Sequence, residues 1–318
     1  RQLLPDYILG YSSGENEILS LPFFKMRFVQ FDEYDQALKQ QLPYSGSPES
    51  RLVYLDSGFS HAILLCNLLF QDASTLTPFR DDVKIEELKE FRIIIRRSVE
   101  IDQAQLQQFG SKNLSDKSDI ESIIKNHPAL FDEIEDGPWR FFVNIVELLD
   151  GDDRANKIIG RLKRCASCSF IDESSGTLYL DYYVNDKTKK AFSENFDFEI
   201  NRSPVALFQA FQVLLTLNLY SVSDRLKADL YQSDSHYVSE TVPSLASDER
   251  IMRFKFVKFR KTDVPESVML KNLSDGEHQM LHTLGLCLLF KNTQSLFLLD
   301  EPETNFNTEW RGNCVNRM

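Results

Sequence analysis

Two acidic residues, Asp300 and Glu301, close the apolar run Leu296-Phe297-Leu298-Leu299. Such a run predicts a buried strand, and in an open parallel sheet ligands bind at the carboxyl ends of the strands. A carboxylate pair there can hold a divalent cation with one group and polarise a water with the other. Earlier in the chain, Ser274-Asp275-Gly276-Glu277-His278 opens an apolar helical stretch. Ser274 and Glu277 fit a capping box, which leaves backbone N–H groups and the positive end of the helix dipole facing outward. A tip of that kind takes anions. Phosphate at a helix tip with a metal at a strand end is the chemistry of a nucleoside triphosphatase. Each half also has a plainer reading. S-x-x-E is a common cap, and an Asp-Glu pair can simply mark where a strand becomes a loop.

Taken together, the Ser-x-Gly-Glu tip, its distance from the strand and the L-L-D-E-P-E ending resemble the signature motif, Walker B strand and D-loop region of ABC-type ATPases. Transporters of that superfamily usually carry Thr where Glu303 stands. The E-P-E ending is more similar to the RecF, SMC and OLD branch, which works on nucleic acid. Within that branch, residues 273–310 resemble the AAA/ABC ATPases of bacterial restriction-associated and anti-phage defence systems, the PtuA-like proteins of Septu and retron systems among them. A weaker likeness covers residues 4–35.

The resemblance implies a role for each matching residue. Asp300 holds Mg²⁺ through water, and Glu301 polarises the attacking water. Ser274 and the Gly276 backbone contact the γ-phosphate of an ATP bound to the other subunit. Glu277 and His278 belong to the same nucleotide-facing tip, and Gln30 is the candidate for the metal-contacting glutamine of the Q-loop. Phosphoryl transfer is mostly positioning and charge neutralisation, so few residues are needed. Asn305 and Thr308 depart from the family, which often has His and Pro there. The switch His expected on a following strand does not occur before Met318.

No G-x-x-x-x-G-K-[S/T] occurs in the chain, and Gly110-Ser111-Lys112 lacks the pattern. Without that loop the α- and β-phosphates have no cradle. The chain begins at Arg1 and ends inside an α/β unit, so it reads as an internal piece of a longer protein. The alternative is a degenerate ABC fold, a scaffold that binds a partner protein or nucleic acid without turnover. A transporter's nucleotide-binding subunit is a third reading, against which Glu303 and a long insertion both argue.

The elements that position these residues can be read along the chain. Residues 7–11 predict a strand, and a polar turn at 12–17 leads into a helix through Leu19, Phe23 and Phe24, apolar again over 28–34. A Pro/Gly/Ser loop at 43–50 precedes a strand at 51–56 and a helix at 61–70, with Ile63, Leu64, Leu68 and Leu69 on its apolar side. Residues 90–99 alternate as a strand, and 103–119 reads as loop. Helices are expected at 120–130 and 139–149, and a hairpin at 169–185 turning at 173–176. Ser203 as N-cap and Pro204 at N1 open another helix. Along residues 251–261, Arg253, Lys255, Lys258, Arg260 and Lys261 interleave with Phe254, Phe256 and Phe259. That strand either tracks a phosphate backbone or carries one solvated basic face.

The fold class expected is α/β: an ABC-type ATPase lobe, the P-loop NTPase fold without its Walker A part, carrying a mixed α+β insertion. Residues 1–71 form part of the N-terminal lobe, 72–249 the insertion, and 250–318 the C-terminal lobe. The resemblance implies ATP and Mg²⁺ in the site, with two subunits sandwiching two ATP molecules head to tail. The homodimer or a higher oligomer then controls an effector nuclease. The 318 residues carry a net charge of −12 and 42% hydrophobic residues. That balance argues against a generally basic nucleic-acid binder, although a local basic groove keeps nucleic acid open as a partner. No apolar run is long enough to span a membrane, and no signal-peptide pattern occurs. Five Cys suit a reducing, cytoplasmic setting. Cys165-x-x-Cys168 has zinc spacing on one side only. His278 and His282 lack the H-E-x-x-H order, and no nuclease pattern is readable, which leaves nuclease chemistry to a partner.

Overall fold

The computed structural model describes residues 4–13, 17–48, 51–110, 117–133, 138–151, 157–197, 203–232, 242 and 245–317, with the side chains of 17–22, 24 and 313–317 outside the description. In chain order the elements begin with β1 (Tyr7–Ser12), α1 (Glu17–Lys39), β2 (Leu52–Tyr54), α2 (Ser60–Phe70), α3 (Thr77–Asp82), β3 (Ile85–Arg96), β4 (Ser98–Ile101) and α4 (Gln103–Gln107). Then come α5 (Lys117–Asn126), β5 (Leu130–Glu133), β6 (Arg140–Asn144), α6 (Ile158–Cys165), β7 (Cys168–Asp172), β8 (Thr177–Tyr183), α7 (Asp186–Phe196), α8 (Val205–Thr216) and α9 (Asp224–Gln232). The last are β9 (Met252–Lys261), β10 (Val264–Met269), α10 (Asp275–Leu289), β11 (Ser295–Asp300) and α11 (Thr308–Arg317). The chain is thus mixed α/β with several sheets.

The sheet that positions the acidic pair is parallel, in the order β11-β1-β2. Ile8 stands opposite Leu296 on one side and Leu52 on the other. Because all three strands run the same way, Ser12 and Asp300 finish level with each other at one edge. Tyr11 stacks on His282 of α10, and Gly10 faces Phe23 of α1, so the two helices cover opposite faces. The expectation of a fully buried strand at 295–300 is corrected. β11 is an edge strand, and Leu296 and Leu298, on the α1 side, stay 47% and 36% exposed.

A second sheet is antiparallel, in the order β10-β9-β3-β8-β7, and a third, also antiparallel, runs β4-β6-β5. The long β3–β9 ladder spans Ile85 to Ile95, so residues on both sides of position 249 share one sheet. One apolar cluster runs from Leu9 through Phe91, Phe192 and Phe211 to Leu284, and among the described residues only Phe28, Val222 and Leu230 form a separate small one. Among the described residues no single helix is long and apolar enough to cross a membrane.

Four local expectations need correction. Residues 139–149 do not form a helix. Phe141 and Val143 are buried between more exposed neighbours, and this period of two seats β6 between β4 and β5. The helix expected at 120–130 ends at Asn126, because Pro128 disfavours helical backbone at the residue before it. Within the stretch read as loop, Asp102 caps α4 through a capping box, while 111–116 lies outside the described residues. α2 is buried from Ala62 to Phe70 on every side rather than along one stripe. The strand, helix and hairpin expectations at 7–11, 61–70, 169–185 and 251–261 match elements of the structure.

Candidate functional site

At the carboxyl edge of the parallel sheet, the Ser12 hydroxyl donates to Asp300 Oδ2 at 3.1 Å. The Ser13 N–H donates to the Asp300 carbonyl, and the Ser13 hydroxyl to Thr304 Oγ1 at 3.0 Å. β1 therefore fixes both the Asp300 carboxylate and the turn that follows it. That turn is strained. Glu301 has φ +48°, a left-handed backbone that costs a non-glycine residue about 1–2 kcal/mol. Its carbonyl compensates by accepting from the Gln279 side-chain amide at 3.2 Å and the Thr304 hydroxyl at 3.0 Å. Thr304 also reaches the Glu301 carboxylate at 3.2 Å, which holds this exposed side chain to its own turn.

Gln279 is 4% exposed and works at both ends. While its amide holds Glu301, its Oε1 accepts the Asn305 N–H at 2.7 Å. The strained turn is thereby clamped to α10, one turn beyond the helix tip. The tip itself closes as the sequence predicts. Ser274 Oγ accepts from the Glu277 N–H, and the Glu277 carboxylate accepts from the Ser274 N–H at 2.9 Å and the Ser274 hydroxyl at 3.0 Å. Lys261 of β9 adds an ion pair to Glu277 at 2.8 Å. Burial pushes the Glu277 carboxyl up, but Lys261 and Ser274 outweigh it and hold the pKa below its usual range.

Gly276 is required by close approach. A Cβ there would lie 2.6 Å from the Asn305 carbonyl oxygen, closer than real contacts allow. The α10 tip and the 301–305 turn thus touch backbone to backbone. Ser274, Gly276, Glu277, Asp300 and Glu301 are brought together as one surface by Gln279, Asn305 and Thr304.

Two further candidates, Gln30 and His278, have neighbours of their own. Gln30 is buried in α1, where its Oε1 accepts from Gln212 of α8 at 3.4 Å. Its placement there, in the core, corrects the expectation that it faces the metal. His278 sits half-buried in the first turn of α10, close enough to His61 to act on its charge. Burial first, and His278 second, depress the His61 pKa to about 4. The basic strand is corrected as well. Lys258 pairs with Glu90 at 2.5 Å, Arg260 with Glu86 at 2.7 Å, and Lys261 with Glu277, so most of its charge is answered by neighbouring carboxylates. Cys165 is buried and Cys168 exposed, and no group of three His, Cys, Asp or Glu shaped for a metal occurs among the described residues.

The donor set does fit a hard cation. Mg²⁺ needs only one or two protein oxygens, keeping water and phosphate for the rest. Asp300, with the Ser12 hydroxyl hydrogen-bonded to it, offers that oxygen set, and Asp300 would be the anionic ligand. Ser12 and Gln279 carry no local signal in the sequence, because their partners Asp300, Glu301 and Asn305 lie 22 or more positions away. Comparison with family models, curated proteins and solved structures finds no match to this chain.

Proposed function

We propose that this chain carries the signature and Walker B parts of an ABC-type ATPase, in the P-loop NTPase fold, of the PtuA-like kind found in bacterial defence. The observation that supports it best is the fusion of the α10 tip to the post-strand turn through Gly276, Gln279 and Asn305. A surface made jointly of a helix N-terminus and that turn suits a nucleotide presented by a second subunit. Ser274 and the Gly276 backbone face its γ-phosphate. Asp300 holds Mg²⁺, whose chemistry is to neutralise phosphate charge. Glu301 accepts a proton from the attacking water, and the Thr304 hydroxyl keeps its carboxylate aimed. Closure makes contacts that only the ATP-bound dimer has, so ATP shifts the population toward it and hydrolysis releases it. The dimer in turn controls an effector nuclease.

The second reading is a scaffold that binds without turnover. It is favoured by the absence of a phosphate-loop pattern in these 318 residues. The two are separated by measuring mass in solution and ATP turnover for the whole gene product, as wild type, Glu301→Gln and Asp300→Asn. Glu301→Gln should accumulate an ATP- and Mg²⁺-dependent dimer. Both variants should lose about 100-fold or more in turnover, the scale set by removing one preorganised catalytic group. If ATP changes the mass of no protein and wild type shows no turnover, the ATPase reading fails and the scaffold stands.

A further inference from the structure

A cavity of about 590 Å³ opens beside the carboxyl end of β2, between the start of α2, the end of α8 and the first residues of β9. It shares no residue with the Asp300–Glu301 surface. Among the described residues its wall carries three arginines, Arg27, Arg250 and Arg253, against a single carboxylate, Asp56. Arg27 answers that carboxylate at 2.8 Å and also lies over the Phe59 ring. Arg250 and Arg253 remain. Among the described residues neither has an ion pair, and each reaches only a backbone carbonyl, of Leu245 and Ser247 respectively. The Arg253 Nε is buried without a hydrogen-bond partner, as is that of Arg27. A buried donor left unpaired costs about 1–3 kcal/mol. Two cations gathered at one mouth, in a chain whose net charge is −12, run against the electrostatic trend of the molecule.

Another part of the wall is aromatic. His61 stacks on Phe254 with ring centroids 5.6 Å apart and planes 9° from parallel, and Phe254 is held edge-on by Phe211. Phe254 and His61 are only partly buried, and both line the cavity. The volume falls within the range that encloses a small ligand. Guanidinium forks pair with phosphate oxygens in a bidentate way, and aromatic faces stack bases.

We infer that this cavity is a binding site for a nucleoside monophosphate, with Arg250 and Arg253 on the phosphate and the His61–Phe254 pair against the base. The site does not depend on the ATPase reading. It does touch the same helix, because the Ser60 hydroxyl beside His61 hydrogen-bonds His282 of α10 at 2.8 Å. Occupancy therefore has a physical route to the helix whose Gln279 clamps Glu301.

The test is calorimetric titration of the full chain with AMP and with adenosine, without Mg²⁺, in wild type, Arg250→Gln, Arg253→Gln and Asp300→Asn. AMP should bind wild type and Asp300→Asn alike. Each arginine variant should bind it about tenfold more weakly, the equivalent of one charge-assisted hydrogen bond. Adenosine should bind at least as weakly as AMP binds the arginine variants. Arg250 is exposed, so Arg250→Gln keeps the fold, and its circular dichroism should match wild type. The inference is overturned if millimolar AMP gives no binding or if Arg250→Gln leaves the affinity unchanged. It is equally overturned if adenosine binds as tightly as AMP, or if Asp300→Asn weakens AMP as much as the arginine variants do. The last result would place the ligand at the carboxylate edge instead.

Discussion

His282 shows what burial does to a single side chain. It is 4% exposed, stacked on Tyr11, and bonded through Nδ1 to Ser60. Burial drives its pKa down to about 4, and the nearby Asp56 carboxylate only partly opposes this. His61 falls to about 4 as well, and burial lowers His127 in the same direction. In the unfolded chain a histidine titrates near 6.5. Between pH 6.5 and pH 4 the unfolded chain therefore binds more protons than the folded one, and stability falls as pH falls. Above about pH 7 both states are neutral and the dependence vanishes. His61 and His282 alone amount to nearly two protons taken up on unfolding over the middle of that window, about 1.4 kcal/mol per pH unit for each. Urea midpoints at pH 7.5 and pH 5 measure the drop. His282→Asn, which can keep a bond to Ser60, should lose about half of it. An unchanged pH dependence in that variant would mean His282 is already charged in the folded state.

α2 and α10 form the central helix pair, and their contact explains two residues that look out of place. Asn67 is fully buried, and its amide donates to the Ile63 carbonyl at 2.9 Å and across the pair to the Gly285 carbonyl at 2.8 Å. Gly285 lies mid-helix, where glycine is ordinarily unfavourable. A Cβ there would meet Ile63 Cγ2 at 2.7 Å. A Cβ added at Gly312, in α11, would meet nothing within 4 Å among the described residues. The same substitution should therefore have opposite signs in the two helices. Gly285→Ala should destabilise by about 1–3 kcal/mol through overpacking. Gly312→Ala should stabilise by about 0.5–1 kcal/mol through helix propensity. Denaturant midpoints of the two variants check this, and equal shifts would mean the α2–α10 contact is looser than the 2.7 Å approach requires. This pair also marks how far the sequence could be read. The Ser274–Glu277 box was legible because capping is local, its partners only three positions apart. The Asp300–Glu301 strand end was legible because apolar runs and acidic ends are local too. What escaped was non-local. Ser12 meets Asp300 across 288 positions and Lys258 meets Glu90 across 168, and no window of sequence contains both partners. The 139–149 segment was misread for the same reason. Phe141 and Val143 are fixed as strand by β4 and β5 on either side, a tertiary context that overrides a helix-like pattern.

At the scale of the molecule, the division into lobes and insertion meets a sheet that runs across it. β9 belongs to the stretch with the signature, yet its partner is β3, and β8 completes the ladder on the other side. Lys258–Glu90, Arg260–Glu86 and the bidentate Arg92–Asp181 pair lie along these ladders. The apolar cluster is continuous from β1 through α7 to α10. A boundary between independently folding units has few contacts crossing it, and none of this fits that pattern at position 249. Unfolding should therefore be a single event even at this length. The chain's two tryptophans stand at opposite ends of the question. Trp139 packs on Phe141 of the β4-β6-β5 sheet, and Trp310 packs edge-on against Phe306 after the acidic turn. Trp139→Phe and Trp310→Phe leave one reporter each. Fluorescence transitions of the two variants in urea should coincide with each other and with far-ultraviolet circular dichroism. If the Trp310 signal moves at lower denaturant while Trp139 stays native, the signature region opens before the rest. Residues 250–318 would then be a separate cooperative unit despite the shared sheet.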